Sequence, residues 1–123
     1  AADAMQMPAE QVFKTLVTTG SKGICVFVVP VAEELDLKKA AKASGQKYVE
    51  MLPQKDLLAT TGYIKGGCSP IGMKKRFPTY IHETCLDFPF IFVSAGIRGV
   101  QIKLAPQDLI KQSQAVVCRL FGE

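Results

Sequence analysis

The sequence predicts an α/β (α+β) domain with a mixed, strongly curved β-sheet and helices packed around it. Three observations carry that expectation. The 123 residues hold one hydrophobic core and leave no room for a second. Short runs rich in β-branched and aromatic residues recur along the chain, with helix-like segments between them at irregular intervals. One of these runs, Ile24-Cys25-Val26-Phe27-Val28-Val29, is apolar at every position, which suits a strand covered on both faces.

The elements follow in order. Residues 1–7 read as the end of a helix that Pro8 terminates. Residues 11–18 predict a strand, Gly20 to Gly23 a turn, and residues 24–29 the second strand. Residues 35–43 predict a helix capped by Asp36 and closed by Gly45. A short strand is expected at 48–51. Pro53 then stands where helices begin, and that helix runs through 54–60 to Gly62. A glycine-rich loop spans 62–72. It leads to a strand at 80–82 and a hairpin of 90–94 with 100–104, with Gly96 and Gly99 in its turn. Pro106 opens a last helix, and 115–120 reads as a closing strand.

Composition narrows the classes. At 48% hydrophobic and 21% charged residues, the chain matches a globular domain rather than a disordered one. Its apolar run from Ile24 to Pro30 is too short to cross a bilayer, and no charged leader with an apolar run opens the sequence, so the cytoplasm is the expected location. Cys25, Cys68, Cys85 and Cys118 are widely spaced with no Cys-x-x-Cys pair, which reads as free thiols rather than a zinc site or disulfide framework. A net charge of +4 suits a phosphate-bearing partner without requiring one.

Three features could carry chemistry. Lys14 sits inside an apolar strand, where alternation puts it on the face of Val12 and Leu16; it either snorkels to water or enters a polar pocket. The stretch Thr61-Gly62-Tyr63-Ile64-Lys65-Gly66-Gly67-Cys68-Ser69-Pro70-Ile71-Gly72 lets backbone amides approach an anion or a carbonyl oxygen, although it is neither a P-loop nor a dinucleotide fingerprint. Lys74-Lys75-Arg76 follows at once, with Lys65 inside the loop and Arg98 on the later hairpin. Such a triplet is usually a solvated charge run, but here it is placed to hold phosphates. His82 and Cys68 are weaker candidates: no Gly-x-Ser-x-Gly elbow accompanies the single histidine, and only nearby cations would activate the thiol. Asp36 and Asp108 read as helix-start residues.

Taken together, Val12-Phe13-Lys14-Thr15-Leu16, then Pro30-Val31-Ala32 with the helix at 35–43, Thr61-Gly62-Tyr63, Gly66-Gly67-Cys68-Ser69-Pro70-Ile71-Gly72, Arg76 with Pro78, and Val93-Ser94-Ala95-Gly96-Ile97-Arg98-Gly99 resemble the YbaK/EbsC family of aminoacyl-tRNA deacylases. That family is similar to the editing domain inserted in bacterial prolyl-tRNA synthetases. The likeness runs along nearly the whole chain and implies a single editing domain over 1–123 with a barrel-like sheet, lacking the N-terminal part of the family domain.

The implied activity is hydrolysis of the ester between a wrong amino acid and the terminal adenosine of a tRNA, chiefly cysteine or alanine on proline tRNA, without a metal or cofactor. The implied partner is the 3′ acceptor end of the mischarged tRNA, with prolyl-tRNA synthetase as a candidate protein partner; monomer and homodimer both remain open. Lys14 and Gly66 would be the catalytic pair. Gly67, Cys68, Ser69, Pro70, Gly96, Arg98 and Gln101 would bind the aminoacyl end, and Lys65, Lys74, Lys75 and Arg76 the tRNA phosphates. Gln101 stands where the cysteine-clearing branch carries aspartate, and Cys68 where an aliphatic residue is commoner.

An aminoacyl ester is already activated, so preset amides and an oriented water could supply much of the acceleration. Two rival readings stand beside this one: a non-catalytic RNA-binding protein of the same fold, and an unrelated esterase using Cys68 or His82.

Overall fold

The computed structural model describes residues 7–122, so the helix end expected at 1–7 lies, apart from Met7, outside the described residues. After a single 3-10 turn at Ala9–Gln11 come strands β1 (Phe13–Gly20) and β2 (Gly23–Pro30). Gly20 pairs with Gly23, which leaves Ser21 and Lys22 as a two-residue hairpin loop with Gly23 at φ +104°. β1 therefore begins and ends two residues later than its sequence pattern suggests.

Helix α1 (Leu37–Ser44) starts on the expected cap, because Asp36 Oδ1 accepts from the backbone amides of Lys38 at 2.9 Å and Lys39 at 3.1 Å. Gly45 ends it in the left-handed region, φ +68°. Strand β3 (Val49–Met51), helix α2 (Gln54–Thr61), strand β4 (Thr79–His82), a 3-10 segment at Glu83–Asp87, the hairpin β5 (Ile91–Ser94) and β6 (Gln101–Leu104), helix α3 (Pro106–Ser113) and strand β7 (Val116–Cys118) complete the chain.

The main sheet has five strands in the order β3-β1-β2-β4-β7, antiparallel at β3-β1-β2 and parallel at β2-β4-β7. It is mixed, as expected, but open. The expected strong curvature and barrel-like closure are absent because β5 and β6 form a separate two-stranded sheet, joined to the first by one parallel bridge between Val12 and Phe92. Among the described residues no helix is long and apolar enough to cross a membrane.

β2 is the centre of the core. Its residues 25–30 are all buried, and they divide by alternation between two clusters. Cys25, Phe27 and Val29 pack with Ala40 and Ala41 of α1 and with Leu120. Val26 and Val28 pack with Phe13, Val17, Ile81, Ile91, Val93 and Leu109, which brings the hairpin and α3 onto the other face. Burial on both faces explains the unbroken apolar run.

Candidate active site

Coverage of β1 is uneven. Its inner edge is paired with β2 along the whole strand. On its outer edge β3 pairs only with Thr18–Gly20, and the Leu52 amide donates to the Val17 carbonyl at 3.0 Å. Since the Val31 amide occupies the Val12 carbonyl on the β2 side, at 2.7 Å, the bridge from Phe92 meets Val12 on the outer side. The outer edge is thus covered at both ends and open between them. A cleft of 510 Å³ fills the opening, lined by Val12 and residues 13–17 of β1, by Met51, Leu52 and Leu57, by Lys65, Gly66 and Cys68 of the glycine loop, and by Ser94 and Gln101 of the hairpin. That volume lies within the ordinary range of small-molecule sites, ~300–1,000 Å³.

Lys14 and Gly66, proposed from sequence as a pair, therefore face one cavity. Lys14 is half-buried, and among the described residues no carboxylate lies within 4.0 Å of its ammonium. The lining contains two lysines and no aspartate, glutamate or histidine. Two of the lining residues, Thr15 and Gln101, carry buried side-chain oxygens (Oγ1 and Oε1) that have no hydrogen-bond partner among the described residues. Orphan polar atoms of this kind are costly unless a ligand or water completes them. The cavity thus offers a cation and an apolar wall, with two unsatisfied oxygens buried in its lining residues.

Other sequence candidates take supporting places. Gly67 is buried behind the wall; its amide donates to the Ile64 carbonyl at 3.0 Å, and a Cβ there would stand 3.0 Å from the Arg98 nitrogen. Arg98 clamps the loop from outside, its Nη2 donating to the Lys65 carbonyl at 3.0 Å. Gly96 lies against the Tyr63 ring, with 2.9 Å between a built Cβ and Cε1, and the Tyr63 hydroxyl donates to the Ile71 carbonyl at 2.5 Å. Ser69 is buried, and its Oγ accepts from the Ile71 amide at 3.2 Å. The cations divide: Lys65 lines the cleft, the Lys74 stem packs over Gly62, and Lys75, Arg76 and Pro70 line a different hollow.

Residues 1–112 match the family model described as the aminoacyl-tRNA editing domain. The chain belongs to this family. It is 59% identical over 110 residues to a candidate Cys-tRNA(Pro)/Cys-tRNA(Cys) deacylase, EbsC, of Enterococcus faecalis (strain ATCC 700802 / V583), covering 89% of this chain and 67% of that one. It is 30% identical over 74 residues to a proline–tRNA ligase of Shouchella clausii (strain KSM-K16), covering 60% of this chain but 13% of the ligase. A solved structure described as a candidate trans-editing enzyme for prolyl tRNA synthetase superposes with TM-score 0.92 at 28% identity, over 99% of this chain and 77% of that one.

Within this editing domain the Cys68 and His82 alternatives lose their geometry. Cys68 packs in the cluster on the hairpin face, and burial pushes its thiol up to about 11, opposed by a hydrogen bond with Thr61, so it is neutral at pH 7 and a poor nucleophile. His82 shares the opposite face with Tyr80 by strand alternation. Its Nδ1 accepts from the Leu120 amide at 3.0 Å, and its ring stacks on Phe121 at 3.9 Å. It is a structural residue. Sequence reading missed Thr15, Ser94 and the apolar wall from Met51, Leu52 and Leu57, none of which departs from its local pattern.

Proposed function

We propose that the editing domain hydrolyses the ester of mischarged tRNA in trans, with Cys-tRNA(Pro) and Cys-tRNA(Cys) as its substrates. One observation carries the reading: a Lys14 ammonium with no carboxylate partner among the described residues and the Gly66 segment line a single cleft that has no carboxylate or imidazole in its lining. Such a site suits an ester that is reactive before it binds. The name of the 59% identical relative supports cysteine, as does an apolar wall that accepts a small soft side chain. The open edge of β1 and the hairpin leave between them the cleft that receives the substrate end.

In this reading Lys14 donates to the ribose or phosphate oxygens of the terminal adenosine, and Lys65 holds the adjoining phosphate. The apolar wall of Met51, Leu52 and Leu57 packs the aminoacyl side chain. Gly66, at φ +85°, turns the backbone toward the carbonyl, where its amide stabilises the developing oxyanion. A water attacks the carbonyl carbon, the bond to the ribose oxygen breaks, and the water's proton passes to that oxygen by way of the substrate's own groups. Prolyl-tRNA synthetase is the partner that presents the tRNA, in the cytoplasm; similarity to part of a proline–tRNA ligase supports that pairing.

The test is single-turnover deacylation of Cys-tRNA(Pro) by Lys14→Met, which keeps the stem and removes the charge. Losing one charge-assisted hydrogen bond of ~1.5–3 kcal/mol slows hydrolysis roughly 10- to 150-fold, with Lys14→Arg in between. A Lys14→Met rate within twofold of wild type would exclude this site. Wild-type protein that binds charged and uncharged tRNA equally and turns over neither would establish the non-catalytic reading.

A further inference from the structure

The glycine loop has a second hollow. Gly66 and Cys68 line the cleft, whereas Pro70 and Gly72 line a cavity of 220 Å³ that shares no lining residue with it. Lys75 and Arg76 stand on its border, both exposed, and among the described residues neither has a carboxylate within 4.0 Å. Met73 and Phe77, half-buried, give it an apolar side. Gln112 and the buried Ser113 close it, and they form the last turn of α3, where the helix dipole is negative.

We propose that this hollow binds one nucleotide of the tRNA, at a subsite separate from the cleft. The proposal rests on the reading of tRNA as substrate. A phosphate fits between Lys75 and Arg76, a ribose or base face lies on Phe77 and Met73, and an amino or hydroxyl donor points to Gln112. A bare anion would use the cations and meet the negative end of α3, and an acidic protein side chain would leave the Gln112 side without a donor. A nucleotide brings the negative charge and the donors together. Because the loop runs from cleft to hollow, a strand held in both is tethered near its reactive end and again farther along.

The probe is uncharged proline tRNA, titrated by fluorescence anisotropy between about 50 and 200 mM salt. Lys75→Glu/Arg76→Glu is expected to weaken binding roughly tenfold and to flatten the log–log salt slope by about 0.7, the contribution of one phosphate contact. Lys38→Glu/Lys42→Glu, which changes net charge equally on exposed positions of α1, is the control. Equal losses in the two double variants would overturn the subsite. Gln112→Ala is expected to weaken binding roughly threefold to tenfold with the slope unchanged, and wild-type affinity there would overturn the nucleotide assignment.

In deacylation, Lys75→Glu/Arg76→Glu raises KM for aminoacyl-tRNA with kcat unchanged, and leaves an aminoacyl-adenosine fragment hydrolysed at the wild-type rate. Wild-type protein that binds tRNA with these slopes but hydrolyses nothing would remove the proposed activity and keep the hollow. Active protein whose double variant binds like wild type would do the reverse.

Discussion

Gly67→Ala tests how tightly the cleft wall is held. Gly67 is buried and its φ is not positive, so alanine meets no backbone strain there. It meets other backbone instead: an added Cβ would stand 3.0 Å from the Arg98 nitrogen, 3.3 Å from the Ile97 carbonyl carbon and 3.4 Å from the Gly96 oxygen. None of these can swing aside as a side chain can, so the hairpin turn and the loop must part by a few tenths of an ångström. Overpacking of this kind costs ~1–3 kcal/mol, which a domain of ordinary stability (~5–15 kcal/mol) survives. At roughly 3–5 °C per kcal/mol for this size, Tm falls by about 3–15 °C. Since a misplacement of ~1 Å can cost ~100-fold, a shift of a few tenths slows deacylation by roughly threefold to tenfold. Gly99→Ala is the internal comparison: φ is +82° but nothing lies within 4 Å of the added Cβ, so it costs only the left-handed strain of ~1 kcal/mol and leaves turnover alone. The assays are thermal unfolding by circular dichroism and single-turnover hydrolysis. A Gly67→Ala protein with wild-type Tm and rate would refute the close approach and the coupling of wall to turn.

Two other outcomes are expected. Cys68→Ala removes a buried sulfur at a cost of roughly 1 kcal/mol in urea unfolding, while its deacylation rate stays within about threefold of wild type because a thiol pushed up to about 11 is not the nucleophile; loss of turnover would restore that role. His82 titrates below its usual range, chiefly through burial, with Glu83 opposing and Arg119 adding to the shift. The unfolded chain therefore gains a proton near pH 6.5 before the folded one does, so the stability is fully present above pH 6.5 and is lost as pH falls through the lowered value. Urea midpoints across that range should decline in wild type and decline less in His82→Gln; parallel profiles would refute the assignment.

Much of the fold was legible because local physics decided it. The Asp36 cap, the Gly45 stop and the doubly covered run in β2 each depend on residues within a turn or on period-two burial. The open sheet was not legible. Whether the edges meet depends on a three-residue pairing by β3 and a single bridge at Val12, and neither leaves a mark in the nearby sequence. The site divides in the same way. Lys14 was visible because a cation in an apolar strand needs a reason. Thr15 was not, because a threonine in a β-branched strand needs none, and its unfilled oxygen becomes apparent only once the neighbouring elements are placed. Arg98 was visible as charge, but its partner, the Lys65 carbonyl, is a backbone atom 33 residues away.

The glycines of the loop mark rigidity more than freedom. Gly72 and Gly96 both lie against Tyr63, whose hydroxyl reaches the Ile71 carbonyl; a Cβ would crowd that hydroxyl at Gly72 and the ring edge at Gly96. The Lys74 amide returns to the Thr61 carbonyl at 3.0 Å, closing the loop at its base, while Arg98 holds its outer bend. A segment tied at these points has already lost much of the conformational entropy that a mobile loop would lose on meeting its ligand. On the proposed reading, that is what a cleft without a carboxylate or imidazole requires: its advantage comes from groups that stand in place before the ester arrives, and the close glycine contacts hold the Gly66 segment in the lining it shares with Lys14.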